Sequence, residues 1–457
     1  MAACSRHSAR VTAAEVKAAL AEARVVPSRK LGQNFLVDAN TARWIVEQLE
    51  PTPDDFVVEV GPGTGALSGQ LVGRVRKLLL VEFDHRLAEW LKARFAGEET
   101  VTVVHADGAK FDVRTLFREQ PVKLLGNLPY SAGGAILRNF LKGPSPVTRG
   151  VLMLQKEFIE RILASPRTKD YGVLSLRMQS EWDSRPLKTV PPECFHPRPA
   201  IDSTVMVVEP RKDPLPCFDR RLFDELVRRG FAQRRKQVRK ALPEEPAWET
   251  VAEGVGASAT ARAEELSLAQ WVEVTRCYDD HPLKDIPQKG EELFDVVDDD
   301  DEVIGQEKRA VVHEKDLKHR AVHMFLFNKR GELFLQKRSR LKDVHPERWD
   351  SSAAGHLEVG EGYAEAAVRE LAEELGQEDV ELTRVGKIPP SEATGWEFVV
   401  LFGGRQTGPV RFPCSEIDYG QWFPLDEVES WMARRPEDFA TGFLECWRLW
   451  QTARAGA

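Results

Sequence analysis

Residues 127 to 130 read Asn-Leu-Pro-Tyr, just beyond the apolar run Val122 to Leu125 and about sixty positions after a glycine-rich turn. An amide, a rigid proline and an aromatic ring at a strand end make a receptor for a flat base with an exocyclic amine. The lone pair of such an amine is delocalised, so methylation needs the nitrogen held in line with the incoming methyl and its hydrogens accepted. Asn127 Oδ1 and the Leu128 carbonyl can accept them, Pro129 fixes the turn, and Tyr130 can stack on an extruded base. No strong general base is required, because the nitrogen becomes acidic only as the methyl arrives. A second group of reactive types is Glu370, Glu373 and Glu374, whose spacings of three and four place their carboxylates on one helix face. Carboxylates without histidine favour Mg2+ or Mn2+, which can bridge a diphosphate and activate water.

The elements that must position the first group alternate strand, turn and helix. Thr12 to Glu15 is a capping box that starts a helix running to about Arg24. Phe56 to Val60 reads as a buried parallel strand, and Gly61-Pro-Gly63-Thr-Gly65-Ala66 is its exit turn, which suits a dinucleotide as well as S-adenosylmethionine. The next strand, Lys77 to Val81, ends in Glu82, where a carboxylate can accept both ribose hydroxyls. Val101 to His105 ends near Asp107, which can take the hydrogens of a cofactor adenine amine. A strand-end acid is as often only a helix cap, but a ligand at the carboxyl edge of a parallel sheet is the general rule. The fourth strand end separates the cofactors, because hydride transfer has no use for Asn127 to Tyr130.

Farther along, Arg228, Arg229, Arg234, Arg235, Lys236, Arg239 and Lys240 fall within 228–240 with no acid among them. With Leu222, Phe223, Leu226, Val227, Phe231, Val238 and Leu242 as the apolar face, this reads as a small helical domain, closed by 262–274, carrying a phosphate-binding stripe. RNA shape, more than base reading, would select its substrate.

At 457 residues the chain exceeds a usual single core. No apolar stretch approaches the roughly 18 residues of a membrane span, and Met1 to Arg10 lacks an apolar signal region, so a cytoplasmic enzyme without a membrane partner is expected. The six cysteines lack CxxC spacing and imply neither a disulfide framework nor zinc. From residue 287 onward 22 Lys and Arg face 34 Asp and Glu, a balance of −12 within a total of −8, which leaves +4 for 1–286. The switch falls at eight acids in 291–302, read as a solvated linker or turn.

Several motifs together resemble the small-subunit rRNA adenine dimethyltransferase family: Lys30-Leu-Gly-Gln-Asn-Phe-Leu-Val-Asp38, Val58-Glu-Val-Gly-Pro-Gly-Thr-Gly65, Gly126 to Tyr130, Met153-Leu-Gln-Lys-Glu157, Phe195-His-Pro-Arg-Pro199 with Asp202-Ser203, and Phe231 to Arg239. The resemblance covers residues 25 to about 280. It implies dimethylation of two adjacent adenosines in the hairpin near the 3′ end of small-subunit rRNA, with the immature small subunit as partner. It makes Asn34, Leu36, Gly61, Glu82, Asp107 and Asn127 cofactor residues, beside Gly63 of the same turn. Phe195 matches an aromatic that would sandwich the base with Tyr130. Ser131-Ala-Gly-Gly and Ala200 depart from the family pattern around the target pocket.

Gly355-His-Leu-Glu-Val-Gly-Glu361, seven residues, then Arg369-Glu370-Leu-Ala-Glu373-Glu374-Leu-Gly376 resembles the Nudix box, with Gln377 where an aliphatic is usual. His319 to Asn328, Leu333 to Arg338 and Trp349 are similar to the isopentenyl-diphosphate-isomerase-like branch. There His319, His356 and Glu397 match metal or acid positions, but Ala354 replaces the catalytic cysteine, so hydrolysis of a diphosphate-containing small molecule is expected rather than isomerisation. The architecture expected is a Rossmann-like class I methyltransferase over 1–210, a helical RNA-binding domain over 211–286 and a Nudix α/β/α sandwich over 287–457. Three alternatives stay open: a large-subunit rRNA methyltransferase of the Erm resistance type, a non-catalytic ribosome-assembly factor, and a Nudix half that binds a nucleotide without hydrolysing it.

Overall fold

The computed structural model describes residues 11–28, 32–285 and 290–455. The Met1 to Arg10 reading, the Lys30-Leu31 start of the first motif and the boundary at Pro287 lie outside the described residues. The chain forms two compact units, Met1–Leu215 with Phe223–Val274, and Pro216–Leu222 with Thr275–Ala457. The stretch 211–286 is thereby shared between them.

In the first unit, β1 (Phe56–Val60), β2 (Lys77–Glu82), β3 (Val101–His105), β4 (Val122–Asn127), β5 (Val147–Gln155), β6 (Trp182–Val190) and β7 (Ser203–Pro210) form one sheet in the order β3-β2-β1-β4-β5-β7-β6. The first five are parallel; β7 runs antiparallel to β5 and β6 antiparallel to β7. Because strand side chains alternate, Val57, Leu78, Leu80 and Leu125 enter one hydrophobic core while Phe56, Val58, Val60 and Leu124 enter another. Both faces are thus covered, which suits near-continuous apolar strands. The capping box closes as expected on the helix Ala13–Glu22. The helix Arg220–Ala232 buries Phe223, Leu226 and Val227, and Phe231 lies against Trp271 and Tyr171.

In the second unit, β8 (Leu293–Val297) and β9 (Val303–Lys308) form a hairpin. A mixed sheet follows, built from β10 (His319–Phe327), β11 (Leu333–Arg338), β12 (Trp349–Asp350), β13 (Ala353–His356), β14 (Thr383–Ile388), β15 (Glu397–Arg405) and β16 (Ile417–Phe423). Its main path is β12-β11-β10-β15-β14, with β13 paired to β10 and β16 to β11. The helix Tyr363–Leu375 presents Ala366, Ala367, Leu371 and Leu375 to a core with Val322, Met324 and Val400. Phe325 instead meets Phe443 and Trp447 of the helix Thr441–Ala455. Helices thus cover both sheet faces in an α/β/α sandwich.

Two sequence readings need correction. Residues 298–302 of the acid run are the turn of the β8–β9 hairpin, as the turn reading expects, and Glu291, Glu292, Asp299, Asp300 and Glu302 are exposed, but Asp295, Asp298 and Asp301 are not simply solvated. Asp298 Oδ1 accepts from the backbone of Asp300 and Glu302, and buried Asp295 accepts from Gly360 N at 2.8 Å. Asp301 is 9 % exposed and accepts from Arg320 Nε at 2.6 Å, Tyr363 at 2.9 Å and Lys387. Cys217 and Cys414, 197 positions apart, form a disulfide with a Cα separation of 5.6 Å, a pairing that spacing alone could not indicate.

Burial opposes the Asp301 charge, but the bonds from Arg320, Lys387 and Tyr363 outweigh it and hold the carboxyl below its usual range. A depressed folded-state value stabilises above the unfolded value and is lost as pH falls through the folded one. Asp301→Asn should therefore lower stability at pH 7 by about 1.5–3 kcal/mol, with the gap from the parent closing as the pH drops below the carboxylate range. Denaturant titrations from pH 7 to pH 2 check this.

Candidate active sites and nucleic-acid-binding surface

The carboxyl edge of the first sheet opens into a cavity of about 360 Å3. Asn34, Leu36, Gly61, Gly63, Glu82, Asp107, Asn127, Leu128, Pro129 and Tyr130 all line it. Their convergence follows from strand register: β2, β1 and β4 run parallel, so their last residues reach one edge. Gly63 has φ +58°, and a Cβ there would lie 2.9 Å from the Phe35 ring, so glycine is needed for both dihedral and space.

Glu82 Oε2 accepts from Gly63 N at 3.0 Å and Oε1 from Asp84 N at 2.9 Å. Burial pushes its carboxyl up, against these bonds. A carboxylate offers about four acceptor sites, so lone pairs remain for two ligand hydroxyls. Asp107 Oδ1 accepts from Ala109 N at 2.9 Å, which makes it a turn cap as well as a lining group. Asn127 Nδ2 donates to the Asn34 carbonyl at 3.0 Å. With the nitrogen committed there, Oδ1 is the amide atom left to accept an amine hydrogen. Leu128 N donates to Met153 O, and Pro129 O accepts from Ala132 N and Gly133 N, so the turn is held at both ends. Tyr130 Oη is 2.7 Å from Ser203 Oγ.

Phe195 departs from expectation. It is 3 % exposed, belongs to the core, and does not line the cavity. Pairing of Phe195–His196 with Phe35–Leu36 draws it inward, so the sandwich with Tyr130 is not formed in this structure. Glu59, which no motif argument singled out, also lines the cavity; it is fully buried, bonded to Ser68 Oγ at 2.5 Å, and burial pushes its carboxyl to about 8.

The basic run does not lie on one helix. Helix Arg220–Ala232 ends before Arg234, and a turn leads to a short 3-10 helix, Val238–Lys240. Arg234 is committed internally, to Glu264 and to the carbonyls of Thr168 and Lys169. Arg229 pairs with Glu225 at 2.6 Å, Arg239 with Glu249 at 3.3 Å, and Arg228 donates to Asp224 O. Arg235, Lys236 and Lys240 are exposed and have no ion pair among the described residues.

In the second unit Arg369 organises the acidic face. Its guanidinium donates to both Glu361 oxygens at 2.9 and 2.8 Å, to Glu370 at 2.9 Å, to Glu373 at 3.3 Å and to the His356 carbonyl at 3.0 Å. Glu374 Oε2 accepts from Ala354 N at 3.2 Å. A Cβ on Gly355 would sit 2.0 Å from the Glu370 carboxyl carbon, so this glycine lets the carboxylate lie against the strand. Burial raises Glu370 and Glu374, and each also feels its acidic neighbours. Two buried, mutually repelling carboxylates are the setting a divalent cation relieves. Glu373 is the exposed member, at 45 %. Gln377 replaces an aliphatic because its amide stitches a loop: Oε1 accepts from Thr407 N and Gly408 N, and Nε2 donates to Gly408 O and Pro409 O.

A second cluster joins His319, His356 and Glu397. His356 Nε2 is 3.0 Å and His319 Nε2 3.5 Å from Glu397 Oε1. Sequence reasoning missed His313, on the short helix Arg309–Glu314; one ring nitrogen from each of the three histidines lies within 4.8 Å of the others. Phe294 of β8 stacks on His356 and His319. Burial pushes His356 down to about 3, and burial, then Arg309, lowers His313. Neutral rings are the form in which imidazole ligates metal.

The first unit is thus an α/β unit with a ligand cavity at the carboxyl edge of its sheet, and the second a sandwich carrying a carboxylate helix. Residues 27–280 match the family model described as ribosomal RNA adenine dimethylase, and residues 317–441 match that of the NUDIX domain. The Ribosomal RNA small subunit methyltransferase A of Nitrosospira multiformis is 37 % identical over 253 residues, 55 % of this chain and 96 % of that protein. Its namesake in Clostridium perfringens is 38 % identical over 251 residues, 53 % and 88 % of the two chains. A solved dimethyladenosine transferase from Plasmodium falciparum has a TM-score of 0.45 at 21 % identity, covering 52 % of this chain and 95 % of its own. The chain belongs to the ribosomal RNA adenine dimethylase family. It is a methyltransferase of that family with a NUDIX domain in its second half. Among the described residues, no helix is long and apolar enough to cross a membrane.

Proposed function

We propose that the first unit dimethylates two adjacent adenosines, at their amino groups, in the 3′-terminal hairpin of small-subunit rRNA within an immature small subunit, using S-adenosylmethionine. The observation that carries this is Asn127: its amide nitrogen is anchored on Asn34, and its cavity is shared with Glu82 and Asp107. The cavity fits the cofactor chemically, since Glu82 keeps lone pairs for hydroxyls and Asp107 stands at the neighbouring strand end. When bound, the cofactor supplies an electrophilic methyl. Asn127 Oδ1 and the Leu128 carbonyl accept the amine hydrogens and aim its lone pair, and the Tyr130 ring stacks on the base. The proton of the alkylated nitrogen passes to solvent.

Asn127→Ala should abolish methyl transfer while sparing most cofactor binding, because the amide contacts the amine more than the cofactor. Mass spectrometry of small-subunit rRNA, beside calorimetry with S-adenosylmethionine, separates the two; undiminished dimethylation would sink the mechanism.

Arg235, Lys236 and Lys240 are the cations best placed for phosphate, and Arg234 braces the loop at Thr168. Replacing the three by Gln should weaken RNA binding and flatten its dependence on log salt by roughly 0.7–0.9 per lost phosphate contact. Arg234→Gln should instead lower stability. An unchanged slope in the triple variant would remove these residues from the RNA surface.

For the second unit we infer hydrolysis of a diphosphate-containing small molecule with Mg2+ or Mn2+ held by Glu370, Glu373 and Glu374. When held by these carboxylates, the cation would supply Lewis-acid polarisation of the diphosphate and a more acidic water. Arg369 orients Glu370 and Glu373, and Ala354 N orients Glu374. The His313, His319, His356 and Glu397 cluster suits the further metal or acid role that the isomerase-branch resemblance implies, while Ala354 argues against alkene protonation. Glu374→Gln should weaken Mn2+ binding in calorimetry and cost several orders of magnitude in metal-dependent phosphate release across nucleoside diphosphates, sugar nucleotides and prenyl diphosphates. Equal turnover by parent and variant, or none by either, would leave a binding module.

A further inference from the structure

Residues Pro216–Leu222 lie in sequence between the last strand of the first sheet and the basic helix, yet they belong to the second unit. Side-chain contacts hold them there. Phe218 is buried, Arg220 stacks over Tyr419 at 4.5 Å and over Phe218 at 5.2 Å, and Arg221 donates to the Val410 carbonyl. The Cys217–Cys414 bond is the covalent member of this set, and its Cα separation of 5.6 Å needs no backbone adjustment. Cys217 is half-buried and Cys414 buried, so a solution thiol reaches the Cys217 sulfur first.

We propose that Cys217–Cys414 is a reversible thiol–disulfide switch that fastens the segment Pro216–Leu222 to the second unit. In reduction, a small thiolate attacks Cys217 Sγ, forms a mixed disulfide and releases the Cys414 thiolate, which takes a proton. A second thiol resolves the mixed disulfide, leaving two protein thiols and one oxidised small-molecule disulfide. Oxidation by such a disulfide runs the same steps backwards, with two electrons passing to it. An exchangeable bond accords with a methyltransferase whose rRNA substrate lies in a reducing compartment, where lasting disulfides are rare. The Phe218 and Arg220 contacts persist after reduction, so the segment loosens while its docking site stays formed. In sequence it leads directly into the helix carrying Arg228 and Arg229.

The test uses the full chain equilibrated in glutathione buffers from fully oxidised to fully reduced, then alkylated in denaturant. Of the six cysteines, the four outside this bond should label in the oxidised protein and all six in the reduced. Tryptic maps should show one Cys217–Cys414 crosslink that returns on reoxidation. Brief native digestion should cut after Lys212, Arg220 or Arg221 severalfold faster in the reduced form. Cys217→Ser and Cys414→Ser should show the fast rate in every buffer, and Cys277→Ser, at an exposed cysteine outside this bond, should keep the response. Six adducts in oxidised buffer, a crosslink between other cysteines, or digestion indifferent to redox state in the parent would each overturn the proposal.

Discussion

Burying a carboxylate costs several kcal/mol unless hydrogen-bond donors meet it, and this constraint shapes the methyltransferase edge. Glu82 ends β2 inside the protein, where Gly63 N and Asp84 N satisfy one oxygen each. The bond from Gly63 N holds the glycine turn of β1 against the end of β2. The turn can come so close only because Gly63 adopts a left-handed conformation with no Cβ to strike Phe35. The cavity wall, the turn and the pairing of Phe35–Leu36 with Phe195–His196 therefore depend on one another. Asn127 adds the third side, since its bond to the Asn34 carbonyl ties the end of β4 to the same segment.

The second unit meets a similar demand with a cation. Arg369 spreads its donors over Glu361, Glu370, Glu373 and the His356 carbonyl, which assembles the acidic face before any metal binds. Glu370 and Glu374 stay electrostatically uncomfortable even so, because burial outweighs what Arg369 and Lys342 return. The β8–β9 hairpin supports the glycine loop through Asp295 and the start of the helix through Asp301 and Tyr363. Asp295 and Asp301, which lie in a run that reads as a solvated linker or turn, thus act as scaffold.

Charge density along the chain and charge available to a partner are different quantities. Within 228–240, Arg234 braces a loop, Arg229 and Arg239 pair locally and Arg228 donates to a backbone carbonyl, which leaves Arg235, Lys236 and Lys240 exposed and without ion pairs among the described residues. A guanidinium with five donors finds nearby carbonyls whenever a turn carries it inward, whereas a lysine at a turn surface does not.

Local sequence determined much of this protein. Strands β1 to β4, the Ala13–Glu22 helix and its cap, the helix Tyr363–Leu375 and the residues at each strand end were legible because apolar periodicity, caps and glycine turns act over a few residues. Motif spacing likewise brought Gly61, Glu82, Asp107 and Asn127 to one edge, since parallel strands of similar length end together. Tertiary structure alone decided what depends on distant partners. Phe195 is buried because a two-residue strand more than 150 positions earlier pairs with it. His313 joins His319 and His356 only when its helix packs under Phe294. Arg234 turns inward to Glu264, Asp301 meets Lys387, and Cys217 finds Cys414, contacts set by how elements pack and recorded in no local pattern.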